Sequence, residues 1–112
     1  MKKFRAAFLI EPTHHDLTIL KQYVSRIEFL SSGSDDVDEL PVVISEKLIH
    51  FNPETDVIIP VGSVLTSLLV GVLLSKTFLG KTIWVGVYHT NDNNVKDYFF
   101  KDILWNHEKS LT

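Results

Sequence analysis

Four short polar segments carry the side chains that could do chemistry. "EPTHHD" (residues 11 to 16) sets Thr13, His14 and His15 between two carboxylates. "PVGSVLT" (60 to 66) brings Gly62, Ser63 and Thr66, "HTNDNN" (89 to 94) brings His89, Asn91 and Asp92, and "SSGSDD" (31 to 36) adds hydroxyls and acids. Gly62-Ser63 ahead of an apolar run reads as a strand-to-helix turn. Glycine there lets a ligand approach the backbone, and the first helical N–H groups point at it with the positive end of the helix dipole. Ser63 and Thr66 stand one turn apart, so their hydroxyls could bind phosphate oxygens. The plainer role for Ser63 is to cap the helix. The turn matches neither a P-loop nor G-x-G-x-x-G.

His14 or His15 could serve as a ligand donor or general acid, and either could form an acid–base pair with His89 or Asp92. A metal site needs three converging ligands, and adjacent histidines point in different directions, so none is assigned. Glu11 reads as a solvated strand end. His50 and His107 fall away from these loops. No triad or paired-carboxylate spacing is present, so no catalytic residue is assigned, and no motif names a cofactor. The expected ligand-binding set is Thr13, His14, His15, Gly62, Ser63, Thr66, His89 and Asn91.

These loops need elements to hold them. Residues 3 to 11, "KFRAAFLIE", are apolar on both alternating faces, as a strand covered from both sides requires. From His14, with Thr13 as cap, Leu17, Leu20 and Val24 fall on one helical face. "RIEFLSSG" suits either a continuation of that helix to Leu30 or a short buried strand. The strand keeps a regular β-α rhythm and is preferred. Asp36 or Asp38 is expected to cap a helix with Pro41 in its first turn and Val43, Leu48 and Phe51 inward, Val42, Ile44 and Ile49 widening the stripe. "VIIPV" (57 to 61) reads as a strand, Val64 to Phe78 as a helix closed by Gly80, and 81 to 90 as a fourth strand with Trp84 and Tyr88 on one face. "NDNN" reads as a loop. A last amphipathic helix is expected over 95 to 105 with Val95, Phe99, Ile103 and Leu104 inward, and then a frayed tail over about 106 to 112. The expected fold is one small Rossmann-like or flavodoxin-like α/β domain spanning 1 to 112. Its four parallel strands would run in order 2-1-3-4 with helices on both faces. In that order the four polar loops share one rim, at the carboxyl ends of the strands, where such sheets bind ligands.

Composition narrows the partners. The chain has 112 residues, 45% apolar and 22% charged, with a formal net charge of −3. The balance of 11 basic to 14 acidic residues disfavours a broad nucleic-acid grip. The absence of cysteine excludes disulfides and thiolate chemistry and suits the cytoplasm. Val57 to Ser75 carries no charged side chain, long enough to raise a membrane span. Pro60, Gly62 and Ser63 break that reading, and a span would leave two apolar strands without a central partner. The helix 64 to 78 is apolar nearly all round, so its outer face is expected to be covered by a second copy or by helix 95 to 105.

Residues 56 to 90, an acid, a strand, Gly-Ser, a helix, then Gly-Lys and a strand, resemble the last part of small Rossmann-like nucleoside-processing proteins of the deoxyribosyltransferase kind. In that family a helical glutamate before a glycine is the nucleophile. Here the corresponding stretch is "LLVG" (68 to 71), so the resemblance implies nucleoside or nucleotide binding without that chemistry. The leading expectation is a small soluble protein binding a phosphate-bearing or nucleotide-like molecule, as a dimer. The alternatives are a protein-interaction or inhibitor module working through helix 64 to 78 or the acidic loop 34 to 39, and a nucleotide-acting hydrolase or transferase using His14 or His15.

Overall fold

The computed structural model describes residues 2 to 104. Five strands form one sheet in the order β2-β1-β3-β4-β5. β1 (Phe4–Leu9), β2 (Val24–Phe29), β3 (Asp56–Ile59) and β4 (Thr82–Thr90) are mutually parallel, and β5 (Lys96–Leu104) runs antiparallel beside β4. The order 2-1-3-4 is therefore present, extended by a fifth strand. The wholly parallel four-stranded sheet is corrected to a mixed one.

β1 sits between β2 and β3, and a separate core covers the sheet on each side, which is why both faces of β1 are apolar. Ala6, Phe8 and Ile10 face one core, with Ile58 and Ile83. Ala7 and Leu9 face the other, with Val57 and Ile59. The first core is roofed by α1 (Leu40–Leu48) and α2 (Val64–Thr77). Pro41 lies in the first turn of α1, where its missing N–H costs nothing. The inward residues of α1 are Leu40, Ile44 and Leu48, followed by Phe51, while Val42 and Ile49 are exposed. No side chain caps α1: the Asp36 carboxylate accepts from the Asp38 N–H within the preceding turn.

Helices on both faces were expected, and this is corrected: both helices lie on one face. The expected helix from His14 is a single 3-10 turn at Leu20–Gln22. Asp16 accepts from the Thr18 N–H, and Thr13 Oγ1 accepts from the His15 N–H. Such local side-chain bonds offer the backbone an alternative to the helix. Val24 already belongs to β2, two residues earlier than the expected strand start at Arg26. Leu17, Ile19, Leu20 and Tyr23 of this irregular segment cover the second core, together with Trp84, Tyr88, Tyr98 and Phe100.

The expected last helix over 95 to 105 is corrected to β5. Asn91 to Asn94 form a tight turn: the Asn94 N–H donates to the Asn91 carbonyl, Asn94 takes a positive φ of 65°, and the Asn91 N–H donates to the Val95 carbonyl. That is hairpin geometry, with a left-handed residue closing the turn. The expected tail and His107 lie outside the described residues. Among the described residues, no helix is long and apolar enough to cross a membrane.

Candidate functional site

Beyond the carboxyl ends of β1, β3 and β4 the chain forms two clefts, one on each side of the Pro60–Gly62 turn. The first lies on the face without helices. Thr13, His15, Ile59, Pro60, Val61, Gly86, Val87, Tyr88 and Tyr98 enclose a cavity of about 200 Å³. It opens into a shallow groove bounded by Pro12, Thr13, His14, His15 and Pro60 to Gly62. Its inner wall is aromatic: the rings of Tyr88 and Tyr98 are 5.0 Å apart between centroids, and His15 stands 6.5 Å from Tyr88. Tyr98 is buried, and burial holds its phenol above its usual range, with Tyr88 adding to the effect. The wall exists because cross-strand pairing sets Tyr88 opposite Tyr98. Gly86 keeps it tight, since a Cβ there would come within 2.8 Å of Ile59 Cδ1 and of Phe100 Cε1.

The second cleft, of about 190 Å³, lies on the helix side and is bounded by Glu11, Ser31, Gly33, Asp35, Ser63, Leu65 and Thr66 among others. Ser63 caps α2 by accepting from the Thr66 N–H at 3.1 Å. Its Oγ also lies 3.0 Å from Glu11 Oε1 and 2.7 Å from Thr66 Oγ1. Hydrogen bonds from Thr66 first, and then from Ser63, hold the Glu11 carboxyl below its ordinary value of 4.5. Gly62 has φ +125°, and a Cβ on it would fall 2.7 Å from Glu11 Cδ. The close approach that this glycine allows is thus to a carboxylate of the same chain. That carboxylate sits where an anion would meet the start of the helix, and Asp35 adds a second acid nearby.

The sequence-expected residues therefore divide. Thr13, His14, His15 and Gly62 come together around the first cleft and its groove. Ser63 and Thr66 turn to the second cleft, against Glu11. His89 lies beside the Phe99 ring at 6.2 Å, and Asn91 Oδ1 accepts from the N–H groups of Asn93 and Val95. Both belong to the hairpin end and line neither cleft. The residues missed were Tyr98, Pro60 and Val61. Tyr88, placed with Trp84 on one face of the fourth strand, lines the first cleft. The signal for Tyr98 was its alternation with Phe100, which puts both on one face of a strand.

Among the described residues no group of three or more His, Asp or Glu is placed to hold a metal ion. No family model, curated protein or solved structure matches the chain.

Proposed function

We propose that the protein binds a nucleotide-like small molecule, its planar ring in the Tyr88–Tyr98 cavity and its anionic part in the groove at His14 and His15. The observation that carries this is the aromatic-walled cavity at the carboxyl-end rim, opening onto two exposed histidines. About 200 Å³ is below the size of a pocket for a whole drug-sized ligand, so only one ring system would be enclosed. Stacking on aromatic side chains contributes about 1–3 kcal/mol per base and tolerates different bases. The anionic part is assigned to the histidine side because Glu11 and Asp35 would repel it on the other. A cytoplasmic location is part of the same proposal, resting on the cysteine-free composition.

The test is thermal shift and calorimetry with a panel of nucleosides and nucleotides. Tyr88→Ala and His15→Ala should each weaken binding, Tyr88→Ala by about tenfold or more. Ser63→Ala should leave affinity unchanged. No shift with any member of the panel sinks the proposal. Loss of binding in Ser63→Ala alone would move the anion seat to the start of α2.

A further inference from the structure

The outer side of α2 is the least expected surface of the molecule. Its inward residues are Thr66, Val70 and Leu74. On the opposite side stand Leu65, Leu68, Val72 and, just past the helix end, Leu79, all exposed, Leu68 by 64% and Leu79 by 76%. Val64, 75% exposed, flanks them. A helix lying on a sheet ordinarily carries charge on this side. Lys76 is the one charged residue in the whole of α2. We propose that this face packs against α2 of a second copy of the chain, with the two helices antiparallel about a two-fold axis near residue 70.

Spacing, area and charge support that occupant. Leu65, Leu68, Val72 and Ser75 are three, four and three residues apart, the spacing of a helix–helix seam. The five exposed apolar side chains present on the order of 500 Å², at the upper end of what single-chain proteins leave uncovered. Two copies would bury about 1,000 Å² between them, the lower limit for a specific interface. A face without charge offers nothing for a charged partner to read, whereas a two-fold axis makes the patch its own complement. The antiparallel sense opposes the two helix dipoles. A parallel pair would set Lys76 against Lys76, which the antiparallel one avoids. On the flank of α2, a Cβ on Gly71 would meet nothing within 4 Å, so the neighbouring helix has room to come close. This surface is independent of the ligand cleft.

Light scattering on the full chain at about 100 µM should give twice the 12.8 kDa chain mass. Leu68→Glu should give the single-chain mass with a circular dichroism spectrum unchanged from wild type, because Leu68 is exposed in its own chain, and it should lose the concentration dependence of the wild-type melt. The chain has no cysteine, so a single introduced thiol reports on proximity. Val72→Cys should cross-link under mild oxidation about tenfold faster than Ile49→Cys, whose site on the far end of α1 is 78% exposed and off this face. A single-chain mass for the wild type overturns the proposal. So does a dimer that persists in Leu68→Glu, or a wild-type monomer that floats with phosphatidylcholine vesicles.

Discussion

Asp56 is fully buried at the start of β3, and its carboxylate accepts from Arg5 Nε, Arg5 Nη2 at 2.6 Å, the Asn52 N–H and Thr55 Oγ1. These bonds, Asp56 first by hydrogen bond and then by charge, raise the Arg5 pKa. Asp56→Ala should lower stability by about 1–3 kcal/mol, measured by urea unfolding, because the donors at Arg5, Asn52 and Thr55 lose the acceptor that gathers them around the start of β3. Glu11 gives a pH dependence. Its folded pKa lies below the ordinary value, so its stabilisation is fully present above pH 4.5 and is lost as pH falls through the folded value. Acid unfolding followed by circular dichroism should show this, and Glu11→Gln should flatten that limb. Ser63→Ala should cost about 1 kcal/mol as a lost cap. The capping role of Ser63 was legible from its place before an apolar helix. Glu11 was not, because it meets Ser63 across 52 residues of chain, and only the strand order brings them together.

At the scale of elements, the hairpin decides the aromatic wall. Gly86→Ala should destabilise by about 1–3 kcal/mol, since Ile59 and Phe100 must both give way. Asn94→Gly should be neutral or stabilising and Asn94→Val destabilising by about 1–2 kcal/mol, because residue 94 holds a positive φ. Equilibrium unfolding of the two variants checks this directly. β1, β3, β4 and α2 were legible within a few residues because each keeps one period over its length. β5 was not. Val95, Phe99 and Ile103 recur every four residues, which fits a helix, while Tyr98 and Phe100 alternate, which fits a strand. In so short a segment the two periods compete, and pairing with β4 along nine residues decides between them. The segment from His14 failed the other way: Asp16 and Thr18 bond locally and leave only one 3-10 turn.

Over the whole molecule, α1 and α2 roof one face of the sheet, and an irregular segment with an aromatic wall closes the other. The aromatic-walled cleft opens on the second face and the exposed ridge of α2 lies above the first. Breaking the proposed dimer should therefore leave the site intact: Leu68→Glu should keep nucleotide affinity within about twofold of wild type by calorimetry. The sequence by itself determined that β1 and β3 are buried on both faces, that Gly62-Ser63 opens a helix, and that the charge-free stretch 57 to 75 is a strand and a helix. Each follows from local periodicity, turn chemistry and capping, which act over a few residues. Only the tertiary structure decided that Glu11 takes the start of α2, that β5 is a strand, and that the open cavity lies at Tyr88 and Tyr98. Those outcomes depend on which distant segments become neighbours, and a burial pattern records that a face is covered without recording by what.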